Sequence, residues 1–452
     1  MTIIDDFFVS RREFVAGCAG GVASAMAART GLAADLATAA PADLLADYVG
    51  TRDPSTAVET LGSGTVAGGR WRTCRLTSQT WKGAAWMHEV SMVLPNDVQD
   101  TSRAILWIDG GSERKVPAEG LAEPTDAVRI VAAIATAAGL PAVVVRQVPF
   151  QPMFGDLHED GLIAHTFVEY TKTGDPTWPL LLPMVKAAVE AMNAASAQAR
   201  EHWGVEIDEF VVTGASKRGW TTWLSAAVDT RVTGIVPMVI DMLSLADHVK
   251  LQFASFGRMS EELGDYTSRG IEKLLATARG RELVGIVDPY SYRERYTMPK
   301  VIALGTNDPY WPLEACSLYY DGLPGPRWLS YAPNAGHGLP MPRVAGLVAA
   351  LGRHVAGIEP LPEIEWRFDG GECIVTCNAP PERATLWRAA SATRDFRKAS
   401  WSAEDVAGAG PEWRVPIAPP QDGFSAALVE LAFAREPVPL MLTSGVKVLR
   451  AG

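Results

Sequence analysis

From Glu209 to Leu224 the chain reads EFVVTGASKRGWTTWL, and this stretch constrains the fold more than any other. A short apolar run, Phe210 to Val212, ends at Thr213-Gly214. Ser216 stands at the apex of the turn after it, and Trp220 to Leu224 continues in helix-compatible residues. Strand, tight turn and helix in that order lift a serine oxygen out of a sheet edge on a strained turn, the local grammar of a nucleophile elbow. The usual G-x-S-x-G is altered, because Arg218 holds the place of the second glycine and Gly219 comes one residue later. A bare G-x-S also occurs in strand-to-helix turns for turn reasons alone. The rest of the chain must supply the partners such a serine needs.

Around this stretch the periodicities alternate. Leu44 to Tyr48 reads as a helix, and Arg70 to Thr77 with Ala84 to Leu94 reads as an antiparallel pair before the Pro95-Asn96-Asp97 turn. Ala104 to Ile108 is a buried-strand run. Val128, Val131, Ile134 and Ala138 keep helical spacing up to Gly139, and Ala142 to Val145 is another strand. Helices are expected over 160–173 and 180–199, and a strand over Val232 to Ile240. A further strand covers Val301 to Leu304, followed by a helix to Tyr320, a strand at Trp328 to Tyr331 and a helix from Val344 to Val355. This is an α/β pattern, a mostly parallel sheet with helices on both faces. Residues 241–296 interrupt it with helix-like polar segments, too long for a loop, and are expected to form a helical cap. After Gly357 strict alternation takes over at Ile364/Trp366/Phe368, Cys373/Val375/Cys377 and Ala427/Val429/Leu431/Phe433, which predicts a C-terminal β-sandwich domain over 358–452 with a packing or partner-binding role. The main α/β domain then spans 40–357.

A nucleophilic serine needs a base and a group that orients the base, in loops at the carboxyl ends of later strands. Asp308 falls just past the Val301 strand, and His337 sits in the Asn334-Ala335-Gly336-His337-Gly338 loop one strand later. Ser216, Asp308 and His337 are therefore the candidate catalytic residues; Asp241 is an alternative acid, and His248, within the cap, reads as structural. The Lys217 backbone N–H is one oxyanion donor by elbow geometry. Gly110 or Gly111, after the early strand, would bring the second. The Lys217 and Arg218 side chains add charge near the site, or one of them is an exposed or salt-bridged base. Glu159 and Asp160, at the start of a helix, would hold a cationic substrate group such as a peptide amine, or simply favour the helix N-terminus.

The N-terminus carries Ser10-Arg11-Arg12-Glu13-Phe14-Val15 and then an uncharged small and apolar stretch to Ala28, a twin-arginine signal pattern with cleavage near Ala34 or Ala39. Residues 1–39 are read as signal peptide and linker, which implies a periplasmic or secreted protein. Cys18 lies too close to the arginine pair for a lipoprotein box. No later stretch is long and apolar enough to span a bilayer. The net charge of −11, with no basic run interleaved with aromatics, disfavours nucleic-acid binding. Cysteine and histidine spacings suggest no metal site and no disulfide framework, and no cofactor is expected. The fourteen tryptophans are read mainly as core.

With Gly214 to Leu224, Gly305 to Trp311 (GTNDPYW), Asn334 to Gly338 (NAGHG), Trp178 to Val185 and Arg394 to Arg397 in hand, the chain resembles the PhoPQ-activated pathogenicity-related family over nearly everything after the signal. The resemblance implies an exported α/β-hydrolase domain with a C-terminal β-sandwich and leaves the substrate open. At the elbow alone, the bulky basic residue after the serine is similar to glucuronoyl and acetyl xylan esterases. The expected activity is serine hydrolysis of a small-molecule or peptide ester or amide. An aminopeptidase-like activity, or a non-catalytic binding or signalling protein on the same scaffold, are the alternatives.

Overall fold

A computed structural model describes residues 43–112, 120–408 and 410–452. The expected signal and linker, residues 1–39, lie outside the described residues. Helix α1 (Leu44–Gly50) precedes three antiparallel strands, β1 (Ala57–Val66), β2 (Gly69–Trp81) and β3 (Ala84–Pro95). Next come β4 (Arg103–Ile108), α2 (Asp126–Ala138), β5 (Ala142–Val145), α3 (Glu159–Thr173), α4 (Leu181–Trp203), β6 (Glu209–Ala215), α5 (Lys217–Val228) and β7 (Val232–Met238). The cap segment folds as α6 (Leu245–Phe256), α7 (Gly264–Thr267), α8 (Ile271–Leu274) and α9 (Ala278–Val287) with 3₁₀ turns between and after them. The chain then returns to the sheet with β8 (Lys300–Gly305), β9 (Arg327–Ala332) and helix α10 (Met341–Val355).

The strand order β1-β2-β3-β5-β4-β6-β7-β8-β9 has one crossover, and every neighbouring pair from β5 to β9 is parallel. The central strands are continuous apolar runs because both faces are covered. Ala104, Leu106 and Ile108 of β4 join the core shared with α4 and α5, whereas Ile105 and Val211 face the α10 side, where Gly352 and Gly234 lie against them. Helix ends obey their local chemistry. The Thr125 hydroxyl accepts from the Val128 N–H to cap α2, and Gly139 ends that helix at φ 70°. This is the α/β-hydrolase fold: an antiparallel second strand, one crossover, and a serine elbow, an aspartate and a histidine after the parallel strands β6, β8 and β9.

The C-terminal strands β10 (Ile364–Asp369), β11 (Glu372–Cys377), β12 (Arg383–Ser391), β13 (Ser402–Asp405), β14 (Glu412–Pro416), β15 (Phe424–Phe433), β16 (Leu440–Thr443) and β17 (Lys447–Arg450) form two antiparallel layers. One is the small sheet β10-β11-β14. The other, β16-β15-β12-β13 with β17 on β15, joins the main sheet where Thr443 pairs with Leu329 of β9. Buried contacts reinforce that seam. Arg343 of α10 donates to the Ser330 hydroxyl (3.1 Å) and the Tyr331 carbonyl (2.9 Å) and pairs with Glu430 of β15.

Two local readings change. The helix expected between β8 and Tyr320 is two 3₁₀ turns, Ala315–Leu318 and Tyr320–Gly322. Pro309 and Pro312 remove the amides a longer helix would need, and Gly322 favours an early stop. Strand β1 was not expected because it lies largely exposed, without the alternation of a half-buried strand.

Glu430 and Arg343 are 3% and 8% exposed, so Glu430→Ala strands a buried cation. The expected loss is about 3–5 kcal/mol, read from denaturant unfolding; a loss below about 1 kcal/mol would mean the pair behaves like a surface bridge.

Candidate active site

Ser216 sits at φ 57°, ψ −123°, a conformation that L-residues rarely adopt. Its N–H donates to the Met238 carbonyl (2.8 Å), and its carbonyl accepts from the Trp220 N–H (3.0 Å). The glycine requirement of the elbow is met at Gly214 and Gly219. A Cβ on Gly214 would lie 2.7 Å from the Arg218 carbonyl oxygen, and one on Gly219 would lie 2.8 Å from the Met238 carbonyl oxygen. Close packing of α5 on β6 and β7 thus needs its second glycine one residue late, which leaves position 218 free for a long side chain. Lys217 is the first residue of α5, and the first amides of a helix have no intrahelical acceptor. Its N–H therefore has no acceptor within the helix.

Past β8, the Asp308 carboxylate is 5% exposed and held at both oxygens. Oδ1 accepts from the Tyr310 N–H (2.9 Å), and Oδ2 pairs with His337 Nδ1 (2.8 Å). A carboxylate only accepts, so Nδ1 carries the proton of this pair, and Nε2 is the acceptor nitrogen whenever the ring is neutral. That Nε2 is buried and has no hydrogen-bond partner among the described residues. The imidazole stacks on Tyr310 with ring centroids 4.3 Å apart. Asp241, the alternative acid, is placed differently. It accepts from the Tyr319 hydroxyl (2.8 Å) and is pushed up to about 8, by burial above all.

Glu159 and Asp160, expected to receive a cationic substrate group, have internal partners instead. Arg218 donates from Nη1 to Glu159 Oε2 (2.8 Å) and from Nη2 to Oε1 (2.6 Å), while its Nε donates to the Val148 carbonyl (2.6 Å). Lys217 Nζ lies 3.0 Å from Asp160 Oδ2, whose other oxygen accepts from Tyr266 (3.1 Å). Gln151 adds a hydrogen bond to Glu159 Oε1 (2.8 Å). The basic residues next to the serine are therefore the mates of these acids. Burial raises the Glu159 pKa, but Arg218, Lys217 and the hydrogen bonds outweigh it and hold the carboxyl at about 2. Gly110, expected as an oxyanion donor, lies under the same guanidinium, since a Cβ there would meet Arg218 Nη2 at 2.2 Å. Gly111 has φ 99° and sits beside Arg146.

A cavity opens over Ser216 and Lys217. Its walls are mainly apolar, with Phe167 and Trp220 from the hydrolase core and Leu245, Leu263 and Leu275 from the cap segment. His248 also lines it, buried and pushed down to about 3, so the ring is neutral at physiological pH. Sequence reasoning missed Tyr310 and this cavity, and left open which acid Arg218 pairs with. Tyr310 left a signal in its place two residues after Asp308. No group of three or more His, Cys, Asp or Glu among the described residues could hold a metal ion. No described helix is long and apolar enough to cross a membrane.

The topology and the serine, aspartate and histidine at three strand ends define a hydrolase scaffold. A family profile described as PhoPQ-activated pathogenicity-related protein matches residues 45–397. The chain belongs to that family. It is 31% identical over 350 residues to autocrine proliferation repressor protein A of Dictyostelium discoideum, covering 71% of this chain and 69% of that one. Among solved structures it is similar to the acetyl xylan esterase from Paenibacillus sp. R4, with a TM-score of 0.49 at 15% identity over 70% of this chain and 95% of that one. Acetyl xylan esterase 1 from Thermoanaerobacterium sp. JW/SL YS485 gives a TM-score of 0.47 at 15% identity, over 70% of this chain and 95% of that one.

The Glu159 carboxyl titrates lower folded than unfolded, so its stabilisation is full above its unfolded pKa of 4.5 and is lost as pH falls toward 2. Glu159→Gln is expected to lower the melting temperature at pH 7 and to flatten its decline between pH 4.5 and 2. Parallel wild-type and variant curves of melting temperature against pH would contradict the pairing.

Proposed function

We propose that this protein is an exported serine hydrolase that cleaves an ester or amide through an acyl-enzyme. The observation that carries the reading is the 2.8 Å pairing of His337 Nδ1 with a buried Asp308 carboxylate, which leaves Nε2 as the basic nitrogen of a histidine that comes after the elbow strand in chain order. Ser216 Oγ attacks the acyl carbon while His337 Nε2 takes its proton. Asp308 keeps the tautomer and stabilises the imidazolium. The Lys217 N–H faces the developing oxyanion, with a second donor from the Gly110–Gly111 segment. The tetrahedral intermediate collapses as His337 gives that proton to the departing alcohol or amine. Water, deprotonated by His337, then attacks the acyl-enzyme, and the acid leaves as the histidine returns the proton to Ser216.

The cavity over Ser216 supports a substrate with an apolar group beside the scissile bond. The acids expected to bind a substrate amine are occupied by Lys217 and Arg218, so nothing in them supports an aminopeptidase over an esterase. A second reading, a secreted signalling protein without catalysis, is favoured by the name of the Dictyostelium relative.

A fluorophosphonate probe is expected to label the wild type and not Ser216→Ala, and Asp308→Asn should cut kcat on the order of a thousandfold or more. A folded wild type that takes no label would move the conclusion to the signalling protein. On p-nitrophenyl esters, each methylene seated in the cavity adds about 0.8 kcal/mol, roughly fourfold in kcat/KM; a preference for acetate would refute the apolar substrate. Changing Arg11 and Arg12 together to Lys should leave the precursor in the cytoplasm, checked by fractionation.

A further inference from the structure

The loop between β12 and β13 belongs to the C-terminal β layers, yet it reaches back to the two loops that carry Asp308 and His337. Asn307, next to the acid, donates through Nδ2 to the carbonyls of Phe396 (3.3 Å), Arg397 (3.4 Å) and Ala399 (2.6 Å). Asn334, three residues before the histidine, makes a reciprocal pair with Trp401: Nδ2 donates to its carbonyl (3.0 Å), and Oδ1 accepts from its N–H (2.8 Å). The two asparagines meet at Thr306, whose hydroxyl accepts from the Asn334 N–H (2.9 Å) and donates to Asn307 Oδ1 (2.8 Å). The Asn307 N–H closes the circuit onto the Ala335 carbonyl (2.9 Å). Phe396 and Trp401, 1% and 5% exposed, plant the loop in the core. Arg397 carries it on to the cap, pairing with Glu261 (2.8 Å) and lying 4.0 Å over the Phe256 ring. The family match ends at Arg397, so the shared stretch runs through the hydrolase strands and into this loop.

We infer that residues 392–401 are a positioning strap that fixes the acid and base loops relative to one another, with Asn307 and Asn334 as its positioning residues. The inference rests on the serine-hydrolase reading, and it gives the C-terminal β layers a part in catalysis. The side-chain oxygen and nitrogen of both asparagines have partners, and a satisfied network of this kind holds the loops rigidly. A shift of about 1 Å in either loop would stretch the Asp308–His337 bond, enough to cost on the order of a hundredfold in rate. Partner binding at the sandwich, one of the two roles expected from sequence beside packing, would need no such circuit.

Asn334 has φ 59°, which glycine and aspartate tolerate. Asn334→Gly therefore keeps the backbone and removes the strap contacts, whereas Asn334→Asp keeps the acceptor for the Trp401 N–H. Two readouts are taken: kcat and KM on a p-nitrophenyl ester per phosphonate-titrated site, and the low-field proton resonance of His337 Nδ1–H. Asn334→Gly should lower kcat about tenfold or more with KM within about twofold and broaden the resonance; Asn334→Asp should recover part of both. Asn307→Ala, which also cuts the strap, should repeat the glycine result. A folded Asn334→Gly with wild-type kcat and a sharp wild-type resonance would overturn the strap. Should the wild type prove inactive while its resonance is still lost in Asn334→Gly, the strap stands and the hydrolase reading falls.

Discussion

The Arg218–Glu159 pair is the interaction on which the elbow depends. Taking a guanidinium out of water is costly unless its donors are met in the right directions. Here both terminal nitrogens meet both oxygens of one carboxylate, and Nε meets a backbone carbonyl. Three pieces of chain distant in sequence are thereby joined: the first turn of α5, the start of α3 and the loop after β5. Lys217 repeats the arrangement beside it on Asp160. Two adjacent cations facing two adjacent anions fix the rotation of α5 about its axis, and with it the direction in which Ser216 projects.

That constraint bears directly on the strain at Ser216. A serine at positive φ persists only where its surroundings over-determine it. The over-determination comes from close backbone contacts at Gly214 and Gly219, from the Ser216 N–H on Met238, and from the ion pairs that prevent the first turn of α5 from unwinding. The displacement of the second glycine to position 219 is thus part of the mechanism that holds the turn. It moves the point of close approach by one residue and converts the vacated position into an anchor.

The sequence made the layers legible because buried parallel strands are continuous apolar runs and their helices carry clear caps; β4, α2 and β5 are cases in point. The order of Ser216, Asp308 and His337 was legible for the same reason, each standing just past a recognisable strand. The mates of Glu159 and Lys217 were hidden, although both pairs of charges were visible, because 57 residues separate Asp160 from Lys217 and nothing local links them. The strap was less legible still. Residues 392–401 have no periodicity, and their hold on Asn307 and Asn334 runs mostly through carbonyls, which every sequence possesses.

The charge state around His337 is set by burial in the same way. Asp241 and Asp308 are close enough for the Asp308 carboxylate to raise the Asp241 pKa, after burial has already done most of it. Two ionised carboxylates in so dry a place would repel each other, and the second would compete for the imidazolium. The structure separates them by partner. Asp308 accepts from a backbone N–H and from the histidine; Asp241 has the Tyr319 phenol and, near 8, stays mostly protonated at neutral pH. His248 on the cavity side is neutral too, held near 3 by burial. One carboxylate therefore pairs with the His337 imidazole; of the charged residues lining the cavity, Lys217 and Asp160 are matched to each other, whereas Glu272 Oε2 is buried without a hydrogen-bond partner among the described residues. Apart from these groups the walls of the cavity over Ser216 are largely apolar.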